Sequence, residues 1–458
     1  MKLCRERIFN IIFYMKRPFD VCLNLFFALL FLSGCKSSDT RQDRLDMTRR
    51  KYLSSLCIEI SDINRGKKIA LDDFIASLSI EEKVSQLFIE NLEGDTVFVP
   101  VENESSISGT KGKKALIPGG FIFFSYNVRD DIEGTMYFTD SIRRYCLENE
   151  IIPPFLAIDQ EGGLVNRLRI LNGPLPSNMK VSKNLGKDSA YALYSLQATQ
   201  MRSLGFDMNI APVLEVLTPF NQGFLGERSF GASEDVTGYG ISCVNGYENN
   251  RIGSVVKHFP GNTNTDPHTG LPEIALGKDE LYAQLEPFRK ILERNPAGIL
   301  MSHARTSCLD NEKPACLSYK WVSEKLRNEF GFDGVIFSDD IFMGALSENG
   351  YPPEKAVVMA IEAGVDVIML SEKRFSFPAK IIVEKALSEK DFLSRIEESL
   401  RRVLVYKTKT GLLEYRRKEA GKNDYELCLG NPFGSVEDRI VNFRDARSEN
   451  IDLYLRFF

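Results

Sequence analysis

Short runs of mostly apolar residues recur along this chain, and amphipathic stretches separate most of them. The runs are Val84–Ile89, Phe121–Phe124, Phe155–Ile158, Asp207–Ala211, Ser254–Val256, Gly298–Met301, Val335–Phe337 and Val367–Leu370. Runs such as Val335-Ile336-Phe337 and Val367-Ile368-Met369-Leu370 show no polar alternation, as expected of parallel strands buried on both faces. The intervals are too long for hairpins. Helical periodicity falls between the runs at Glu81–Gln86 in part, Ala190–Leu204, Lys278–Arg294, Ser323–Phe330, Pro353–Ala363 and Phe392–Val405. Eight strands alternating with helices predict a (β/α)8 barrel of the TIM type, in preference to an open doubly wound α/β sheet.

Two segments break the alternation. Leu92–Lys114 is polar with Gly and Ser, and reads as a loop inserted after the first strand. From Leu413 the chain turns charged, with Arg416-Arg417-Lys418, and then carries an apolar-spotted stretch over Val436–Phe458. This C-terminal extension, 413–458, is expected to form one or two helices against the barrel, which itself spans 70–412.

The amino terminus has a different character. Lys16 and Arg17 precede a largely apolar run from Val21 to Leu32, followed by Leu32-Ser33-Gly34-Cys35. A membrane-spanning helix needs about 20 apolar residues, whereas a secretory signal needs about 7–15 before small residues. Residues 1–34 therefore read as a signal peptide, and the Leu-Ser-Gly-Cys ending looks like a bacterial lipobox, the alternative being a plain signal peptide with a chance cysteine. Cys35 would be the lipid-attachment residue, with 35–69 as tether and entry segment. The expected location is extracytoplasmic, on the membrane as a lipoprotein through that anchor only.

Composition narrows the chemistry. The balance of 43% hydrophobic and 26% charged residues is that of a globular protein. A net charge of −5 gives no basic excess for nucleic acid. Only three histidines occur, His258, His268 and His303, so a multi-histidine metal site is not expected, nor is a cofactor. The nine cysteines include no Cys-x-x-Cys pair, and no disulfide is predicted.

Polar residues at the carboxyl ends of barrel strands face the pocket where such folds build active sites. Asp159-Gln160-Glu161-Gly162-Gly163 follows the third run, and Asp159 suits hydrogen bonds from sugar hydroxyls. A turn that only caps the next helix would look similar. Lys257-His258 follows the fifth run, and the loop after it holds Asp266 two residues before His268. An aspartate beside an imidazole fixes its tautomer and raises its basicity. Ser338-Asp339-Asp340 follows the seventh run, and only one of two adjacent carboxylates on a strand can face the pocket. His303, after the sixth, is expected to line the pocket as a structural polar residue rather than a proton carrier.

Together these segments resemble glycoside hydrolase family 3, in its single-domain β-N-acetylhexosaminidase branch acting on peptidoglycan fragments. The resemblance covers about residues 70–412. It rests on Glu82-Lys83-Val84-Ser85-Gln86-Leu87, Gly119-Gly120-Phe121-Ile122, Asp159-Gln160-Glu161-Gly162-Gly163, Ala211-Pro212-Val213, Gly226-Glu227-Arg228-Ser229-Phe230-Gly231, Lys257-His258-Phe259-Pro260-Gly261, Asp266-Pro267-His268, Ser338-Asp339-Asp340 and Ala363-Gly364-Val365-Asp366. It implies a retaining exo-β-N-acetylglucosaminidase working on a terminal β-linked N-acetylglucosamine. By the same resemblance Asp339 is the nucleophile, His268 the acid/base and Asp266 its dyad partner. Asp159, Arg167, Arg228, Lys257 and His258 hold the sugar. The chain after Leu412 is too short to build the second domain of two-domain family glucosidases, and this also points to the histidine branch.

Two departures stand out. Between Gly261 and Asp266 only Asn262-Thr263-Asn264-Thr265 occurs, where the family usually has a longer loop beginning His-Gly. Leu164 also replaces the arginine common after the double glycine. Three alternatives accompany the leading reading: a phosphorylase, a β-glucosidase of the same family, and a lipid-anchored sugar-binding protein with a degraded site.

Overall fold

All eight apolar runs contribute strands to one closed parallel barrel in the computed structural model, which describes residues 60–108 and 114–458. Residues 1–34, expected to be a signal peptide, and Cys35 lie outside the described residues. The strands are β1 (Phe88–Asn91), β2 (Gly120–Phe123), β3 (Phe155–Ile158), β4 (Met208–Asn209), β5 (Gly253–Phe259), β6 (Gly298–Met301), β7 (Val335–Asp340) and β8 (Val367–Leu370). Each pairs in parallel with its sequence neighbours, for example Phe121 with Leu156 and Val335 with Gly298. The ring closes where Phe88 meets Ile368. The interior is filled by Ile89, Ile122, Phe155, Val255, Leu300, Phe337 and Val367, all buried.

The strand boundaries differ from expectation in an informative way. The sequence places β1 at Val84–Ile89, but Val84 and Ser85 finish a helix over Ile80–Ser85. Its start is fixed by a capping box: Glu82 N–H donates to Ser79 Oγ at 3.1 Å, and Ser79 N–H donates to Glu82 Oε2 at 2.8 Å. The strand therefore begins at Phe88. β5 and β7 run beyond their apolar cores through Lys257-His258-Phe259 and Ser338-Asp339-Asp340. Their polar residues find partners at the mouth, so the ladder does not need an apolar side chain to continue. β4 is shorter than expected, and Asn209 in it exchanges 3.0 Å hydrogen bonds through its side chain with the backbone N–H and C=O of Gln160.

The C-terminal extension corrects the helical expectation in its first part. Leu413–Arg417 and Tyr425–Leu429 form a β-hairpin, and a single helix follows over Val436–Phe457. That helix is held by Arg439, whose guanidinium donates to both Asp140 carboxylate oxygens at 2.9 Å and to Ser203 C=O at 2.8 Å. The described residues divide into two units, the smaller made of residues 60–76 together with Tyr415–Leu427. Within it, Lys67 lies 5.4 Å from the centre of the Tyr415 ring.

Charged groups at the barrel's amino-terminal face are structural. Asp366, at the start of β8, is buried among Arg327, Arg395 and Arg402, and it accepts the Ile336 N–H at 2.9 Å. Burial raises its carboxyl, but the three guanidiniums outweigh that and hold it below the usual range. Glu248 ends the helix Ser233–Glu248 and accepts the backbone N–H groups of Ser254 and Ala297, both at 2.8 Å, at the entries to β5 and β6. Burial pushes this carboxyl up to about 7 in spite of those donors.

A carboxyl that binds its proton more tightly in the folded state stabilises the fold below its unfolded value, and loses that contribution as pH rises through the folded one. Glu248→Gln keeps an oxygen for both N–H groups and removes the titration. The expected outcome is a wild-type stability that falls relative to the variant between pH 5 and 8, by on the order of 3 kcal/mol. Urea midpoints at the two pH values measure it, and parallel pH profiles would contradict it.

Candidate active site

The carboxyl ends of β3, β5 and β7 bring the polar motifs to one rim. Asp159 directly follows β3, and the next residues fold into a small hairpin of Gln160–Gly162 against Val165–Asn166. The tight turn depends on Gly162 and Gly163, both at positive φ (95° and 57°). A Cβ on Gly162 would lie 2.2 Å from Pro176 C=O. The hairpin turns Glu161 into the mouth beside Asp159.

Lys257 on β5 reaches both carboxylates, with Nζ 2.6 Å from Asp159 and 2.7 Å from Glu161. Arg228 donates to Glu161 through Nε and Nη2, both at 2.9 Å. Burial raises Glu161, but Lys257 and Arg228 outweigh it and hold the carboxyl far below the carboxylate range. For Lys257, burial works downward, and the facing Asp159 and Glu161 carry it above its ordinary value. The result is a four-membered alternation of charge, Asp159–Lys257–Glu161–Arg228, fixed across residues 98 positions apart. Arg167 stands apart from this network. Its guanidinium packs 5.5 Å from the centre of the Phe124 ring, and its backbone N–H bonds Gln160 Oε1 at 2.9 Å.

His258 adjoins Lys257 but looks elsewhere. Its Nδ1 is 2.6 Å from Oε1 of Glu215, on the segment after β4. Sequence reasoning quoted Glu161 in its motif without placing it among the sugar-holding residues, and missed Glu215 altogether. The available signals were a second acid in the Asp159 motif and a lone acid in the apolar stretch Ala211-Pro212-Val213-Leu214-Glu215-Val216.

The two adjacent carboxylates on β7 separate as the alternation of strand side chains requires. Asp340 is buried, caps the turn by accepting Phe342 N–H at 3.1 Å, and offers its C=O to His303 Nε2 at 3.0 Å. Asp339 is half-buried and accepts only the Asp340 N–H at 2.9 Å among the described hydrogen bonds. His303 is fully buried behind the rim, with Nδ1 3.2 Å from Cys316 Sγ, and burial lowers its basicity. That is a structural placement, behind the pocket rather than lining it.

Asp266 and His268 form a pair, Nδ1 to Oδ1 at 2.7 Å, on a loop exposed at the rim (His268 66% and Asp266 51% exposed). The backbone and ring N–H groups of His268 hold the Asp266 carboxyl below its ordinary value. The short loop is tied at both ends of its span. Asn264 Oδ1 accepts Gly223 N–H at 2.7 Å and its Nδ2 donates to Pro219 C=O at 3.0 Å. Pro267 C=O accepts Ala345 N–H at 3.1 Å, in the segment that leaves β7. A Cβ at Gly344 would lie 2.7 Å from His268 C=O, so glycine permits the close approach. A cleft of about 380 Å³ opens beside the loop, bordered by Phe220, Thr263, Thr265 and Gln284.

Comparison with known proteins adds an independent line. Residues 79–406 match the glycosyl hydrolase family 3 N terminal domain. Over 320 residues the chain is 30% identical to beta-hexosaminidase A of Pseudoalteromonas piscicida, covering 64% of this chain and 53% of that protein. The chain thus spans about half the length of that relative. A beta-hexosaminidase of Alkalilimnicola ehrlichii is 33% identical over 272 residues, 57% of this chain and 76% of the relative. Among solved structures, a family 3 beta-N-acetylglucosaminidase from Paenibacillus sp. superimposes with a TM-score of 0.66 at 26% identity, over 82% of this chain and 69% of that one.

Proposed function

The chain belongs to glycosyl hydrolase family 3, and from that premise we propose that it is a retaining, exo-acting β-N-acetylglucosaminidase acting on peptidoglycan-derived or related β-linked N-acetylglucosaminides. The observation that carries this reading is the Asp266–His268 pair, hydrogen-bonded at 2.7 Å on a loop tied by a 3.1 Å bond to the exit of the strand that bears Asp339. A retaining hydrolase needs a nucleophile on one side of the sugar and a group on the other that first gives and then takes a proton. Asp266 engages Nδ1, which leaves Nε2 of His268 to carry that proton.

In the first step an Asp339 oxygen bonds the anomeric carbon, the glycosidic C–O bond breaks, and the His268 Nε2 proton passes to the departing oxygen. In the second, water attacks the anomeric carbon and gives its proton back to Nε2, and the ester bond to Asp339 breaks. The anomeric configuration is retained through two inversions. Asp159, Lys257, Arg228 and His258, with Arg167 at the edge, hold the sugar hydroxyls. Glu161, ionised between two cations, serves as their fixed counter-charge rather than as a proton donor.

The test is hydrolysis of chromogenic β-N-acetylglucosaminide and β-glucoside side by side, with and without phosphate. Release from the N-acetyl sugar independent of phosphate supports the reading. Cleavage confined to the glucoside overturns the substrate, and a phosphate-dependent glycosyl phosphate product overturns hydrolysis.

The Leu-Ser-Gly-Cys segment further supports anchoring by lipid at Cys35, outside the cytoplasm. Acyl chains hold a protein at a membrane by about 0.8 kcal/mol per buried CH₂. Cys35→Ala is expected to move the protein from the membrane pellet to the soluble extracytoplasmic fraction on fractionation. A variant that stays in the pellet would contradict the anchor.

A further inference from the structure

Glu215 is almost fully buried (3% exposed) and holds two parts of the site at once. Its Oε1 takes His258 Nδ1 at 2.6 Å and Asn262 Nδ2 at 3.3 Å, and its Oε2 accepts the backbone N–H of Asn262 at 2.6 Å. Its own C=O accepts the hydroxyl of Ser229, next to Arg228, at 2.7 Å. Asn262 is the first residue of the shortened loop, and only Thr263, Asn264 and Thr265 separate it from Asp266. A chain extends at most about 3.3–3.6 Å per residue, so a loop this short leaves the dyad little freedom from the position of Asn262.

We infer that Glu215 is a positioning residue that couples sugar binding to proton delivery: one carboxylate fixes the ring of His258 and the origin of the Asp266–His268 loop. The inference rests on the hexosaminidase reading and goes beyond it by naming what joins the two halves of the site. A carboxylate suits this role because all three facing groups are donors, and hydrogen bonds to a charged acceptor are the stronger kind. With Nδ1 engaged by Glu215, the second ring nitrogen of His258, Nε2, is left to meet another partner. The other loop ties, at Asn264 and Pro267, engage exposed or backbone groups. Glu215 is the buried anchor.

Glu215→Gln is close in shape but brings an NH₂ group. That group must face either the Asn262 N–H, where two donors meet, or His258 Nδ1, where it forces the other tautomer. Loss of such an outer partner typically costs about 10–100-fold. With an activated aryl N-acetylglucosaminide, Glu215→Gln should raise KM by about tenfold and change kcat little. With an N-acetylglucosaminyl disaccharide, whose leaving group needs its proton, kcat should fall by a further 10-fold or about that.

Glu215→Asp, which keeps the charge, should recover part of the KM loss. Asn264→Ala weakens the loop tie without touching Glu215 or His258, and should lower kcat on the disaccharide alone with KM unchanged. A Glu215→Gln enzyme with wild-type constants, or with equal losses on both substrates and an unchanged KM, overturns the coupling, as does an Asn264→Ala enzyme whose KM rises as much as that of Glu215→Gln. A wild-type protein that cleaves neither substrate would refute the hexosaminidase reading itself.

Discussion

Asp339→Ala is expected to lose turnover by on the order of 10⁴–10⁶-fold while keeping its fold. The side chain is half-buried at the end of β7 and, among the described hydrogen bonds, accepts only its neighbour's N–H, so its removal strands one part-buried backbone donor and should cost little stability. What disappears is the bond to the anomeric carbon, and water alone is a poor substitute. Azide, small enough to enter the vacated space, should restore turnover of an activated aryl glycoside in the variant. It should yield a glycosyl azide of inverted configuration, because one displacement replaces two. The neighbouring carboxylate predicts the opposite pattern. Asp340 is buried and caps Phe342 N–H, so Asp340→Ala should cost stability, about 1–3 kcal/mol, more than chemistry. Stopped assays with product NMR for the first, and thermal melts for the second, separate the two. Wild-type turnover in Asp339→Ala would exclude it as nucleophile.

His268→Ala is expected to produce the second large effect, and one graded by substrate. Where the leaving oxygen belongs to a sugar, departure needs a proton and the loss should reach about 10²–10⁴-fold. Where it belongs to a nitrophenol, departure needs little protonation and the first step should be nearly untouched. A plot of log kcat/KM against leaving-group pKa should therefore be steeper for the variant than for the wild type. The exposure of the dyad sharpens the test, because a ring that is 66% exposed contributes little to folding and its loss should leave the melting temperature unchanged. Equal losses on every substrate would mean that His268 holds the loop or the sugar. Glu161 is no substitute donor, since Lys257 and Arg228 keep it ionised.

The barrel was legible in the chain because strand burial is a local signature. Runs apolar on both faces fit only a sheet covered on both sides, and Val367–Leu370, Gly298–Met301 and Phe155–Ile158 became strands with those boundaries. The positions of Asp159, Lys257, His258, Asp266, His268 and Asp339 near the ends of such runs were legible for the same reason. Helices were less so. Ser233–Glu248 carries glycines at 238, 240 and 246, which weaken a helix in isolation. A Cβ at Gly240 would lie 2.6 Å from Ile291 Cδ1, and one at Gly246 2.8 Å from Tyr194 Cβ, so close packing of helix on helix, not propensity, selected them.

What the sequence by itself determined is therefore the set of strands, their order and the chemistry carried to one end of them. Only the tertiary structure decided how the charges pair. Glu161 became the counter-charge of Lys257 and Arg228, Glu215 the partner of His258 across 43 positions, and Arg167 a neighbour of Phe124 outside the ionic network. Asp339 and Asp340, equivalent as letters, were separated into a half-open carboxylate and a buried cap by the strand's alternation against the barrel wall. The physical reason is one of range. Burial patterns and caps act over a few residues and are written in sequence spacing, whereas ion pairs form between groups that only ring closure brings within 3 Å.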